Sequence, residues 1–143
     1  MNRRLLSFPV IAFFSDCVCV FRDIESLTLG SKWGIKTQYY NDSLIVDGKG
    51  TAYRVSHARK SRGLHWGSVL SMFGFVIVDL VISEVSVNCD YTLIKQLIVD
   101  DIARDPELAY ERDPESIANV ARCNSFNEVY HYIVYGPHDA EGG

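Results

Sequence analysis

The chain has 143 residues, 48% hydrophobic and 22% charged. That is the balance of one globular domain (1–143), and it excludes a disordered chain or a minimal scaffold needing staples. The formal charge of −4 makes it a poor default binder of nucleic acid. That value hides a split: residues 1–65 hold ten basic and five acidic residues (net +5), and residues 66–143 hold four and thirteen (net −9). Such asymmetry points to a charged interaction surface, or to two complementary faces of one fold.

At the N-terminus, Arg3 and Arg4 precede an apolar run, Leu5 to Phe14, that imitates a signal peptide. No small-x-small cleavage pattern follows it, and it is too short to span a bilayer. A buried strand with Pro9 near its start is expected. Phe8–Phe21 reads as one bent strand or two. Asp23-Ile24-Glu25 can start a short helix carrying Leu27. Gly30 and Gly34 weaken any long helix in Ser26–Thr37. Tyr39–Asp42 reads as a turn.

Ser43–Asp47, Gly48-Lys49-Gly50 and Thr51–Ser56 form the clearest hairpin, two β-rich runs around a Gly-containing loop. Strand alternation puts Ala52 and Arg54 opposite in sense to Tyr53 and Val55. Ala58–Gly67 is basic and Gly-punctuated and reads as a loop. Met72–Val87 reads as a long central strand, with Val76, Val78, Leu80 and Ile82 on one apolar face.

Asp90 is a good N-cap for a helix over Tyr91–Arg104, with a stripe of Leu93, Ile94, Leu97, Ile98 and Ile102. Asp101 falls inside that stripe, so either the last turn projects past the core or its acids face a partner. Asp105-Pro106 and Asp113-Pro114 read as cap-plus-Pro helix starts, the second leading Glu115–Arg122. Ser125-Phe-Asn-Glu128 is a capping box, and Gly136-Pro137 stops the last helix. Val129, Tyr132 and Ile133 are its expected buried face. The tail 138–143 is expected to fray. Strands first, then helices, predict an α+β domain: a mostly antiparallel sheet with C-terminal helices packed on one side.

Four cysteines, Cys17, Cys19, Cys89 and Cys123, form no compact framework. Residues i and i+2 on one strand face lie roughly 7 Å apart, too far for Cys17 and Cys19 to bridge. Reduced thiols and a cytoplasmic protein are expected. Without CxxC, a zinc site has little support, and no metal or other cofactor is expected. Phosphate loops and the common hydrolase and calcium motifs are absent.

Two clusters can carry function. His57, Arg59, Lys60, Arg62, His65 and Trp66 could serve a metal-independent nuclease-like enzyme, His57 and His65 acting as acid and base, or could be a solvated loop. Asp100, Asp101, Asp105, Glu107, Glu111, Asp113 and Glu115 put seven acids among sixteen residues, with Arg104 and Arg112 the bases. No tight loop gathers their oxygens for a metal. They suit a surface facing a cationic protein, or a solvated connector.

One stretch resembles a known group. Tyr39-Tyr40, Leu44-Ile45-Val46-Asp47, Gly50, Tyr53-Arg54-Val55 and Ala58-Arg59-Lys60, followed by Trp66-Gly67, are similar to the hairpin of small immunity proteins of bacterial contact-dependent growth inhibition and related polymorphic toxin systems. The Gly that precedes the Tyr pair there is Gln38 here. The resemblance implies a short, non-catalytic cytoplasmic protein that binds and neutralises the C-terminal domain of a cognate toxin, often a basic nuclease. It implies no direct contact with nucleic acid or membrane, and no fixed contact residues. The acidic segment is read from charge alone. An adaptor module without a toxin partner is the other non-enzymatic alternative.

Overall fold

A buried strand cannot carry the Ser15-Asp16 pair through its middle, and the N-terminal run breaks there. In the computed structural model, which describes residues 6–60, 75–86 and 90–136, Val10–Phe13 forms β1 and Val18–Phe21 forms β2. They pair antiparallel, Ile11 opposite Val20, and the Phe14 N–H donates to the Cys17 carbonyl at the reversal. Asp23 caps α1 (Ile24–Thr28), its carboxylate accepting from the Ser26 N–H at 2.7 Å. β3 (Leu29–Ser31) and α2 (Lys32–Lys36) follow, so the two glycines divide this stretch into short pieces.

The hairpin is β4 (Leu44–Val46) and β5 (Ala52–Lys60), with Ile45 opposite Tyr53. β5 runs on through Ala58, Arg59 and Lys60, where a loop was expected. β6 is Phe75–Ser86. Residues 61–74 and 87–89, including Met72 and Val87 of the expected strand, lie outside the described residues. The sheet order is β2-β1-β4-β5-β6-β3, every neighbour antiparallel. The centre belongs to β4 and β5, while β6 is the longest strand and lies one in from the edge.

Four helices follow: α3 (Tyr91–Arg104), α4 (Pro106–Arg112), α5 (Ser116–Arg122) and α6 (Phe126–Tyr135). Asp90 and Asp105 cap α3 and α4 as expected, accepting from the Thr92 and Leu108 N–H groups. Ser125 accepts from the Glu128 N–H at 3.2 Å, and the Glu128 carboxylate accepts from the Asn124 N–H. Helix C-termini are closed by cations from other elements. Lys95 Nζ donates to the Ala121 and Cys123 carbonyls at the end of α5, and Arg22 Nη2 donates to the Val134 carbonyl at the end of α6.

All four residues of β1 are buried, so both faces of the sheet need cover. Ile11, Phe13, Leu44, Val46 and Ala52 pack under Ile94, Ile98, Val120, Val129 and Val134 of the C-terminal helices. On the other face Val10, Ala12, Ile45, Tyr53, Val55, Val78 and Leu80 are covered by Leu6 and Leu27, with Ile24, Ile35 and Tyr40 against them. The C-terminal helices thus occupy one side, and the 24–40 segment closes the other. Leu93, expected in the helical stripe, is 49% exposed. The inward face centres on Ile94 and Ile98, one residue position round the helix.

The hairpin turn is closed from inside. The Asp47 side chain is buried, and Oδ1 accepts from the N–H groups of Lys49 and Thr51, each at 3.0 Å. Oδ2 accepts from the Ser7 N–H at 3.2 Å, and Gly48 N–H donates to the Ser7 carbonyl at 2.7 Å. Gly50 takes φ +83°, the left-handed conformation the reversal needs. Asp47→Ala leaves three N–H donors without their acceptor, each worth about 1–3 kcal/mol when buried. Urea unfolding should show a loss of about 3 kcal/mol or more, and a smaller loss for Asp47→Asn, which keeps one acceptor oxygen.

Gly30 marks a second close approach. A Cβ there would lie 2.2 Å from Val78 Cγ2 and 2.6 Å from the Tyr40 hydroxyl. Gly30→Ala should therefore cost about 1–3 kcal/mol by overpacking. Amide exchange should show the loss concentrated in β3 and its partner residues of β6.

Candidate functional site

Where α3, α4 and α5 turn into one another they stand over the β1–β2 reversal, and a cleft of about 360 Å³ opens between them. Its walls include Cys17 and Cys19 from the β1–β2 reversal, Ile98, Asp101 and Arg104 from α3, Arg112 from α4 and Tyr132 from α6. The reversal is tied to α3 by Arg104 Nη1, which donates to the Ser15 carbonyl at 3.1 Å. The same guanidinium lies 3.7 Å from Asp101.

The seven acids divide by what they hold. Asp113 is half-buried. Oδ2 accepts from the Tyr132 hydroxyl at 2.7 Å and Asn119 Nδ2 at 2.8 Å, and Oδ1 accepts from the Glu115 N–H at 3.1 Å. Instead of starting a helix at Glu115, it forms a side-chain turn ahead of Ser116 and pins that turn to α6. Burial and the Asp113 carboxylate push the Tyr132 hydroxyl well above its usual range. Asp105 is exposed, but its carboxylate caps α4. Asp101 is half-exposed beside Arg104, so the last turn of α3 projects over the cleft rather than into the core.

Asp100, Glu107, Glu111 and Glu115 are exposed. Asp100 accepts from Gln96 Nε2 one turn earlier on its own helix. Glu107 and Glu111, four apart, lie on neighbouring turns of α4. Among the described residues, Glu107, Glu111 and Glu115 have no ion pair; these three and Asp100 stand outside the cleft lining, whose own carboxylates are Asp16, Asp101, Asp105 and Asp113.

The basic cluster lies elsewhere. His57 is exposed on β5 with Nδ1 3.3 Å from Ser56 Oγ, and Arg59 pairs with Asp79 at 3.1 Å. His65, Arg62 and Trp66 lie outside the described residues, as do Cys89 and the tail 138–143.

The cleft also holds groups the sequence did not single out as a site. Cys17 Sγ and Cys19 Sγ lie 3.5 Å apart, closer than a shared strand face allows, because β2 begins only at Val18 and Cys17 belongs to the turn. Tyr39, packed with tilted rings against Phe14 and the exposed Trp33, brings its hydroxyl 3.6 Å from Cys17 Sγ and donates to the Asp16 carboxylate. Burial, with the Cys17 thiol and the charges of Asp101 and Asp16, pushes the Cys19 thiol up to about 12. Among the described residues, no set of three or more His, Cys, Asp or Glu side chains gathers to hold a metal, and no helix is long and apolar enough to cross a membrane.

Comparison with family models, with curated proteins and with solved structures gives no match for this chain.

The Tyr39 hydrogen bond holds the Asp16 carboxyl below its ordinary 3.8. Its folded-state value is therefore the lower one. The stabilisation it gives is full above the unfolded value and is lost as pH falls through the folded one. In Tyr39→Phe, the Asp16 carboxyl should titrate closer to 3.8, followed by carboxyl-carbon NMR, and this contribution to acid sensitivity should shrink.

Proposed function

We propose that the chain is a cytoplasmic immunity protein that binds the C-terminal domain of a cognate bacterial toxin and neutralises it by occlusion, without catalysis. The supporting observation is the set of exposed carboxylates, Asp100, Glu107, Glu111 and Glu115, carried by α3, α4 and the turn that follows them. Asp100, Glu107 and Glu111 stand exposed on α3 and α4, whose side-chain caps are Asp90 and Asp105, and Glu115 stands exposed in the turn before α5. A basic nuclease cleft attracts phosphate and therefore also attracts carboxylates fixed on a rigid surface. The resemblance in the Tyr39–Lys60 hairpin favours the same class. In this reading Asp105 and Asp113 hold the helical layer in shape, and Asp100, Asp101, Glu107, Glu111 and Glu115 meet the partner.

The test is co-expression with the toxin module encoded beside the gene, followed by growth and binding assays. Growth rescue and a stable complex support the reading, while a toxin unaffected by the chain removes it. A quadruple variant, Asp100→Asn, Asp101→Asn, Glu107→Gln and Glu111→Gln, should associate about tenfold more slowly at low salt, with a flatter salt dependence. Its unfolding free energy should shift by no more than about 0.5 kcal/mol per exposed site. Unchanged association at every salt concentration would move the interface off these carboxylates.

A further inference from the structure

We propose that Cys17 and Cys19 form a two-coordinate site for a soft monovalent cation such as Cu(I) or Ag(I), built into the cleft wall at the β1–β2 reversal. This rests on the cysteine geometry and is independent of toxin binding. Both thiols are half-buried, both line the cleft, and their sulfurs point to one place 3.5 Å apart. The Tyr39 hydroxyl lies 3.6 Å from Cys17 Sγ.

The 3.5 Å separation lies between two bonded arrangements. A disulfide needs about 2.05 Å. Two thiolate–metal bonds of about 2.3 Å laid end to end need about 4.6 Å. Side-chain rotation at the turn residue Cys17 reaches the second by opening the pair roughly 1 Å. The surroundings decide between them. Asp16 and Asp101 line the same cleft, and their charge opposes the bare thiolate that disulfide exchange requires, whereas a bound monovalent cation cancels one of the two thiolate charges. Soft sulfur ligands select Cu(I)-like ions, and the lack of a third converging ligand among the described residues disfavours tetrahedral zinc. On binding, each thiol releases its proton to solvent and each sulfur forms one bond to the cation. The site is left with one net negative charge, and Arg104 and Arg112 line the same cleft.

The full-length reduced protein is titrated anaerobically with Cu(I) against a chromophoric Cu(I) chelator. One equivalent should transfer to the protein, with a thiolate-to-metal absorption band in the near ultraviolet. Cys17→Ser and Cys19→Ser should each weaken binding by about a hundredfold or more. A Cys89→Ser, Cys123→Ser double variant should bind as the parent does. Should the serine variants fold poorly, Ag(I) on the unaltered protein should protect Cys17 and Cys19 from alkylation, read by peptide mass spectrometry. The assignment is overturned if Cu(I) stays with the chelator. It is equally overturned if the serine variants bind equally well, if Ag(I) leaves both cysteines open to alkylation, or if the pair closes to a disulfide and takes up no metal.

Discussion

The Asp47 carboxylate is the constraint on which the sheet depends. It accepts from two amides of its own turn and one from Ser7, forty residues earlier, so a single buried side chain sets both the hairpin and the line of the entering chain. The register it fixes decides every face. With Val46 opposite Ala52 and Ile45 opposite Tyr53, the two apolar sets point to opposite sides, and a slip of one residue would exchange them. β1 then pairs with β4, and Tyr130 donates to the Pro9 carbonyl at 2.7 Å, bringing α6 onto the same corner. A charge buried this deeply is tolerable only because the turn amides surround it.

Elements with local signals were legible in the sequence. The hairpin announces itself by β-rich runs around glycines, and α3 and α6 by side-chain caps, because caps and turns are decided within a few residues. The sequence of Phe8–Phe21 is compatible with one bent strand or two, since only pairing distinguishes a bend from a reversal. That 24–40 closes the second face could not be read locally either. It follows from β1 being apolar on both sides, which matters only once β1 is paired on both edges. Leu93 falls in the apolar stripe yet stands exposed, because a stripe at helical spacing is wider than the face that finally meets the sheet.

The acidic segment was legible as charge but not as a division of labour. Asp105 and Asp113 each precede proline, and the same dipeptide produced a helix cap in one case and a side-chain turn pinned by Tyr132 in the other. The difference lies in a residue nineteen positions away. The Cys17–Cys19 approach was hidden for a related reason: spacing along an ideal strand gives the wrong distance when one partner sits on the turn before it.

Structural carboxylates therefore cluster at junctions: Asp47 in the turn, Asp90 and Asp105 at helix starts, Asp113 between α4 and α6. Each has backbone or side-chain donors that fix its position. Asp100, Glu107 and Glu111 stand exposed on helices already capped, where a side chain contributes little to stability. Scaffold and charged surface can then vary separately, since replacing Glu107 or Glu111 leaves the caps and the core intact, whereas replacing Asp113 removes the acceptor for three donors. The charge of such a surface can change without refolding the domain, because the groups that fix the helices and the groups that stand in solvent are different side chains.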